Sequence, residues 1–131
     1  MAMQPDELDD DALEFLRERH LATLTTLRPD GSPHVGAVGV TWDDEAGLVR
    51  VITWGTAKKA RNVAASPGSR AVVSQVDGGR WMSLEGVASV TTDFERCRDA
   101  ERRYAERYRE PKQRDDRAVI EIAVDRILGR A

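Results

Sequence analysis

The chain has 131 residues, of which 33% are charged and 40% hydrophobic, and its net charge is −3 at neutral pH. This acidic balance argues against a dedicated nucleic-acid-binding protein, and no apolar run approaches the roughly 20 residues of a membrane-spanning helix. The single cysteine, Cys97, excludes an internal disulfide and a multi-cysteine metal site, and no metal site is predicted. We expect one cytoplasmic domain over residues 1–131, with no nucleic-acid or membrane partner.

The first third of the chain predicts a helix and a hairpin. Residues 9–20, DDDALEFLRERH, carry acidic residues in the first turn and arginines near the end, as the helix dipole favours. Two β-forming runs, 20–27 and 33–42, flank the sequence RPDGS. Because Pro29 suits the first position of a turn and Gly31 suits a positive φ, the two runs are expected to pair as neighbouring strands.

The middle of the chain alternates between strands and one short helix. Residues 48–54, LVRVITW, alternate as a strand, and AKKARNVAAS at 57–66 is a predicted helix that ends before a Pro-Gly pair. Residues 70–76 and 80–92 are expected to form a second hairpin around the turn DGG.

The last third predicts a long helix, a loop and a strand. The helix covers 93–108 and is preceded by a capping-box pattern, Thr92-x-x-Glu95. Residues 109–116 are expected to be a mobile loop, and 117–128 alternate as the last strand. Six strands in all, mostly in tight hairpins, predict a mainly β (α+β) fold. We expect a six-stranded antiparallel barrel with peripheral helices.

The segment WGTAKKARN, residues 54–62, is the strongest chemical feature of the sequence. It holds Lys58 and Lys59, two of only three lysines, directly after a predicted strand. Gly55 allows a turn and Thr56 is a suitable helix cap, so the first helical turn would offer free backbone N–H groups, a hydroxyl and two ammonium groups. Such a set favours a phosphate. Spacing alone leaves a second interpretation open, in which both lysines are solvated surface charges.

Polar residues on the later strands give a weaker signal. Ser74 and Gln75 interrupt an apolar strand, so one of them must face inward or an interface. Trp81 is expected in the core rather than beside a cofactor, and Arg80 is either an exposed charge or an anion contact. No nucleophile elbow, zinc-binding helix or Gly-Lys-Ser/Thr phosphate loop is present, and Cys97 is expected to be a small core residue. The sequence therefore predicts no self-contained catalytic site.

Three stretches resemble a known family: LATLTTLRPDGSPHVGAVGVTWD, VRVITWGTAKKARNVAASPGSRAVVSQVDG and RWMSLEGVASV. They are similar to the split β-barrel flavin- and deazaflavin-binding proteins of the pyridoxamine-phosphate-oxidase-like superfamily, and the resemblance covers about residues 8–128. The pattern SQVDG.RW.SLEG.A is similar to the actinobacterial deazaflavin-dependent oxidoreductases that use coenzyme F420, biliverdin reductases among them. The C-terminal segment lacks the Arg- and Trp-bearing substrate motif of true pyridoxamine-phosphate oxidases.

The resemblance implies a homodimer with two cofactor sites at the subunit interface. In the family, the junction between the third strand and the next helix holds the cofactor phosphate, which matches Lys59 and Asn62 to the Lys-x-x-Asn element, with Lys58 and Thr56 as supports. The other matched residues are Thr53, Trp54, Val38 and Val40 beside the ring and, from the partner chain, Ser74, Gln75, Arg80 and Trp81.

The resemblance also implies a function, namely hydride transfer from reduced F420 to a conjugated acceptor such as biliverdin, which would become bilirubin. Arg28 and Arg61 are the candidate partners for an anionic substrate. Because F420 and FMN both carry a ring and a phosphate, the sequence does not separate them. An FMN-dependent reductase of the same fold and a non-catalytic F420-binding carrier are therefore the alternatives.

Overall fold

The computed structural model describes residues 2–131. None of the helices in this range is both long and apolar enough to cross a membrane. The elements, in chain order, are the 3₁₀-helix Pro5–Glu7, α1 Asp10–Arg17, β1 Ala22–Leu27, β2 Pro33–Val38, β3 Thr41–Asp43, β4 Leu48–Trp54, α2 Lys58–Ala65, β5 Arg70–Asp77, β6 Arg80–Thr91, α3 Phe94–Arg107 and β7 Arg117–Arg130.

All the named strands lie in one antiparallel sheet, in the order β2-β1-β5-β6-β7-β4-β3. β2 and β3 are the two edges, yet only two residues separate them along the chain. Because three Cα–Cα steps span at most about 11 Å, the sheet must curl until its edges lie close together without pairing. The mainly β fold with outer helices is thereby confirmed. The predicted strand number is wrong, since the open sheet has seven strands rather than six.

The additional strand arises from a break at Gly39 and Val40, inside the predicted run 33–42. The Val40 N–H donates to the Tyr108 hydroxyl at 3.1 Å, and the Val40 carbonyl accepts from the Arg107 guanidinium at 2.7 Å. The backbone here is therefore bonded to side chains at the end of α3 and not to a neighbouring strand. The alternation of apolar and polar residues cannot predict such a break, because the side chains that cause it lie more than 60 residues later in the sequence.

The hairpin predicted around Pro-Asp-Gly is confirmed. Gly31 has a φ of 85°, and the Arg28 N–H donates to the Ser32 carbonyl at 2.8 Å, which closes the turn. β1 and β2 then pair from Ala22 opposite Val38 to the turn.

Aliphatic side chains fill the inside of the curled sheet, and α1 packs against one end of this core. Ala12, Phe15 and Leu16 are the buried residues of α1, whereas Leu13 is only partly buried. The largest fully buried core residues include Phe15, Leu24, Met82, Leu84, Ile120, Ile122 and Ile127.

α3 packs outside the sheet, against β4 and β7. Its N-terminal cap is Asp93, whose carboxylate accepts the Arg96 N–H at 3.0 Å, so the predicted cap at Thr92 lies one residue too early. Cys97 is buried, as expected of a small core residue. The apolar cluster under α3 contains Cys97, Ala100, Val119 and Ile52.

Gly39 is expected to be intolerant of a side chain. A Cβ atom at Gly39 would lie 2.6 Å from the Tyr104 ring and 3.1 Å from the Tyr108 ring. Gly39→Ala should therefore lower the free energy of unfolding by about 1–3 kcal/mol, measured by urea unfolding. Gly36→Ala is the matched control, because a Cβ at Gly36 meets no atom within 4 Å, and its effect should stay within about 0.5 kcal/mol. Equal stability of the two variants would contradict this packing.

Candidate functional site

One cleft collects several residues of interest. It has a volume of about 430 Å³ and lies where the ends of β2 and β4 meet the start of α2 and the connection between α3 and β7, residues 108–116. Val38, Trp54 and Lys59, all predicted site residues, line it together. The full lining is Ala37, Val38, Gly39, Ile52, Trp54, Lys59, Tyr104, Arg109, Glu110, Pro111, Lys112, Arg114 and Arg117.

Trp54 is the last residue of β4 and turns its indole towards the cleft. The ring centroid lies 5.4 Å from Lys59 Nζ and 4.5 Å from the central guanidinium carbon of Arg114. Cations at these distances are attracted to the electron-rich face of the ring. The indole and the two cations together form a surface that suits a flat ring carrying an anion.

Lys59 is the half-buried cation of this cleft. Burial lowers the pKa of its ammonium below the usual value for lysine. Among residues 2–131, Lys59 takes part in none of the ion pairs. A cation that is partly removed from water and has no counter-ion favours an incoming anion.

The start of α2 adds backbone donors next to Lys59. The helix begins at Lys58 with Ala57 as its cap, and the first helical backbone bond runs from the Arg61 N–H to the Ala57 carbonyl. The N–H groups before Arg61 therefore lie outside the hydrogen-bond pattern of the helix, and the first turn has no acidic residue. The predicted cap at Thr56 is wrong, because the turn from Trp54 to Ala57 places the cap one residue later.

The connection 108–116 forms the far wall of the cleft. Arg117 fastens it, since its guanidinium donates to the Lys112 carbonyl at 2.6 Å and to the Thr53 carbonyl at 3.2 Å, and pairs with Glu101 at 2.9 Å. The Gly55 N–H also donates to the Asp116 carbonyl at 3.1 Å. A segment that the sequence predicts as a mobile loop is thus hydrogen-bonded to the end of β4.

Sequence reasoning missed this wall. Tyr104, Arg109, Lys112, Arg114 and Arg117 line the cleft, although the sequence separates them from Lys59 by more than 40 residues. The available signal was the basic character of the segment REPKQRDDR, which by itself is typical of any solvated loop.

Four predicted residues lie near the cleft without lining it. Thr53 is 1% exposed and Val40 3% exposed, and both side chains belong to the core rather than to the cleft. Thr53 faces inward because it alternates with Trp54 along β4. Thr56 and Lys58 are exposed beside the start of α2. Contacts of Thr53 and Val40 with a cofactor ring stay predictions.

Asn62 lies under α2, not on its surface. Its side chain is 2% exposed and its amide donates to the Thr26 hydroxyl of β1 at 3.1 Å. Asn62 therefore holds α2 against β1, and in this way it positions the helix that carries Lys59. A direct contact between Asn62 and a cofactor stays a prediction.

Gln75 is also an interior residue. It is 2% exposed, and its amide nitrogen donates to the Phe15 carbonyl at 2.8 Å while its oxygen accepts from Arg107 at 2.6 Å. Both polar ends are thus satisfied within the chain. A contact between Gln75 and the cofactor of the partner chain stays a prediction.

The other predicted residues lie away from the cleft of their own chain. Arg80 pairs with Glu18 at 2.9 Å and Asp77 at 2.6 Å, and the hydrogen bond from Arg80 is the largest cause that lowers the Glu18 pKa to about 2. Trp81, expected in the core, is 38% exposed on the outer face of β6, and Ser74 lies on the outer face of β5. None of these residues lines the cleft of its own chain.

The two candidate substrate residues are not in the cleft of this chain either. Arg28 donates to the Ser32 hydroxyl and to the Pro33 carbonyl within its own hairpin. Arg61 is exposed on α2, beyond the turn that carries Lys59. Both assignments stay predictions.

Comparison with known proteins gives the family. A family profile described as pyridoxamine 5'-phosphate oxidase matches residues 8–131. The F420H(2)-dependent biliverdin reductase of Mycobacterium tuberculosis (strain CDC 1551 / Oshkosh) is 57% identical over 124 residues, which make up 95% of this chain and 89% of that protein.

Solved structures show the same fold. A conserved hypothetical protein from Mycobacterium tuberculosis has a TM-score of 0.78 at 23% identity, covering 98% of this chain and 88% of the other. An F420 reductase has a TM-score of 0.74 at 22% identity, covering 92% and 98%. With the profile match and the close relative, these likenesses show that the chain belongs to the pyridoxamine 5'-phosphate oxidase family.

Proposed function

We propose that this protein is an oxidoreductase that uses reduced coenzyme F420 to transfer a hydride to a conjugated tetrapyrrole, biliverdin. The 57% identity to a relative named F420H(2)-dependent biliverdin reductase supports this proposal. The observation that carries it is the cleft itself, in which Trp54 lies beside the half-buried, unpaired Lys59 at the start of α2. A ring with an attached phosphate matches both features.

The residues present fit such a cofactor. Lys59 and the free N–H groups at the start of α2 would hold the phosphate. Trp54, Ile52 and Val38 would provide an apolar surface for the ring. Asn62 would contribute indirectly, because its hydrogen bond to the Thr26 hydroxyl keeps α2 in place. The donor set is therefore suited to an anionic ring cofactor.

The chain's part in the reaction is binding and orientation. The hydride would come from the bound cofactor and would add to an electron-poor bridging carbon of the acceptor. The lining residues Trp54, Ile52 and Val38 would exclude water from one face of the ring and fix its distance to the acceptor. The proton that completes the reduction would come from solvent or from a lining group such as Glu110, the only carboxyl group among the described lining residues.

We further propose that the protein acts as a homodimer through the outer face of β1, β2, β5, β6 and β7. Val76 and Trp81 lie opposite each other on this face, and Leu128 lies opposite Ser83 on the next row. Val35, Val76, Trp81 and Leu128 are all exposed, which is unusual for large apolar side chains on one sheet face. Ala37 lines the cleft from the same face, so a second copy packed there would adjoin the cofactor.

This dimer gives the outer residues their role. Ser74, Arg80 and Trp81 lie on or beside the dimer face and would approach the cleft of the partner rather than their own. We also place the reaction in the cytoplasm, since the one cysteine is a free, buried thiol, as suits a reducing compartment. FMN use and a carrier role are the alternatives that the experiments below separate.

The purified protein should oxidise reduced F420 when biliverdin is added. The measurement is the gain of F420 absorbance together with the loss of biliverdin absorbance, followed anaerobically. Bilirubin formed in equal amount to the F420 oxidised would support hydride transfer. A yellow protein purified with FMN would contradict the choice of cofactor, and tight F420 binding with no acceptor turnover would favour the carrier.

Lys59 should be the main phosphate contact. Loss of a charged hydrogen bond costs about 1.5–3 kcal/mol, so Lys59→Ala should weaken F420 binding by roughly ten- to a hundredfold in a Trp fluorescence titration. Lys58→Ala is the matched neighbour, and because Lys58 is exposed its effect should be smaller. Equal effects of the two variants would contradict the assignment.

The same titration should depend on pH. Because burial lowers the Lys59 pKa, the ammonium of the free protein loses its proton at a lower pH than an exposed lysine does. F420 affinity should therefore fall as the pH rises through this range. Lys59→Arg keeps its charge, so its F420 affinity should not fall as the pH rises. Lys59→Ala should bind F420 weakly at every pH, with no such dependence.

Charge on the proposed dimer face should separate the two copies. Wild-type protein is expected to sediment at twice the chain mass of 14.6 kDa. Trp81→Glu should sediment as a monomer with an unchanged circular dichroism spectrum, because the desolvation of a carboxylate opposes packing. Phe94→Glu is the control, since Phe94 is 67% exposed on α3, away from this face. A dimer that tolerates Trp81→Glu but not Phe94→Glu would place the interface elsewhere.

A further inference from the structure

The cleft carries more positive charge than one phosphate needs. Lys59, Arg109 and Lys112 all line it, and none of them forms an ion pair with another of the residues 2–131. Glu110 is the single carboxylate among the described lining residues. Two cations therefore remain after Lys59 has been assigned to the phosphate.

Arg109 and Lys112 differ from their basic neighbours in the same wall. Arg114 has its charge balanced by Asp116 at 2.9 Å, and Arg117 by Glu101 at 2.9 Å. Arg109 and Lys112 are exposed at the mouth of the cleft and have no such partner within the described range. Their charges are available to a ligand, whereas those of Arg114 and Arg117 mainly hold the wall together.

The backbone below these two side chains is fixed at both ends. On one side, the Tyr108 hydroxyl donates to the His20 carbonyl at 2.6 Å and accepts the Val40 N–H. On the other side, Arg117 holds the Lys112 carbonyl at 2.6 Å. Only the side chains of Arg109 and Lys112 must be ordered when a ligand binds, which lowers the entropy cost of using them.

We propose that Arg109 and Lys112 form a carboxylate-binding rim, distinct from the phosphate position at Lys59. This inference rests on the proposed function, because it assigns the rim to carboxylates of the same elongated anionic ligands. Two sources have this chemistry: the glutamyl tail of F420 and the two propionates of biliverdin. Both would extend from a ring bound beside Trp54 towards the mouth of the cleft, where the rim lies.

The test compares binding of four ligands to the full-length chain. They are F420 with several glutamates, the same coenzyme without glutamates, biliverdin, and biliverdin dimethyl ester. Coenzyme binding is followed by Trp fluorescence and tetrapyrrole binding by absorbance, so that no turnover is needed. The variant is Arg109→Ala/Lys112→Ala.

The control variant removes the same charge from α3 instead of from the connection 108–116. Arg98→Ala/Arg102→Ala is suitable because both side chains are exposed and neither lines the cleft. Circular dichroism of both double variants checks that they fold. The control should bind all four ligands as the wild type does.

The rim variant should lose about tenfold in affinity for either the glutamate-bearing F420 or biliverdin, and should keep its affinity for the counterpart that lacks those carboxylates. A loss that follows the glutamates assigns the rim to the cofactor tail, and a loss that follows the propionates assigns it to the acceptor. The loss should shrink as salt is raised, since exposed charges are screened.

Two results would overturn the inference. If the rim variant binds all four ligands as the wild type does, or binds the members with and without these carboxylates equally weakly, the rim does not recognise carboxylates while the proposed function stands. If the wild type binds none of the four ligands, both the rim and the proposed function are wrong.

Discussion

The hydrogen bonds of the partly buried Arg107 guanidinium are the interaction on which the arrangement of this molecule depends. The guanidinium donates to the Glu18 carbonyl at 2.8 Å, the Val40 carbonyl at 2.7 Å and the Gln75 side chain at 2.6 Å. Burial lowers the Arg107 pKa, since the nearby charge of Glu18 offsets only part of the lost hydration and no carboxylate of residues 2–131 accepts a hydrogen bond from this guanidinium. Three neutral oxygens from three separate segments satisfy it instead. One side chain thus joins the end of α1, the break between β2 and β3, and the middle of β5 to the end of α3.

This junction explains why an open sheet can hold a stable cleft. β2 and β3 do not pair, so the gap between them needs other groups to satisfy its backbone, and Arg107 and Tyr108 provide them. Tyr104, one turn earlier on α3, fills the space above Gly39 and lines the cleft. The connection that carries Arg109 and Lys112 begins directly after this anchored turn. The gap in the sheet, the close packing at Gly39 and the cationic wall are therefore consequences of how one helix ends.

Sequence reasoning found the parts of the fold that depend on local chemistry. Neighbouring residues were enough to predict the Pro-Asp-Gly hairpin, the position of α2 and Lys59 as an anion-binding residue next to Trp54. The family resemblance supplied the architecture. The break at Gly39 and the burial of Gln75 could not be predicted, because each depends on groups distant in the chain, and the cap at Ala57 depends on a backbone turn from Trp54 that residue types alone do not predict. Polar residues inside apolar strands were correctly seen to need partners. The partner of the Gln75 side chain is Arg107 of the same chain. The alternation of residues along a strand cannot show whether such a partner is another side chain or a ligand.

The cleft of one chain is open, which bears on the chemistry proposed for it. Hydride transfer needs a site from which water is excluded, yet Trp54, Ile52 and Val38 cover only one side of a bound ring. The exposed apolar residues of the outer sheet face adjoin this opening, and Ala37 belongs to both. A second copy packed on that face would cover apolar surface that water otherwise contacts, and in doing so would close the cleft. In the proposed dimer, the stability of the assembly and the dryness of the reaction site therefore have the same physical cause.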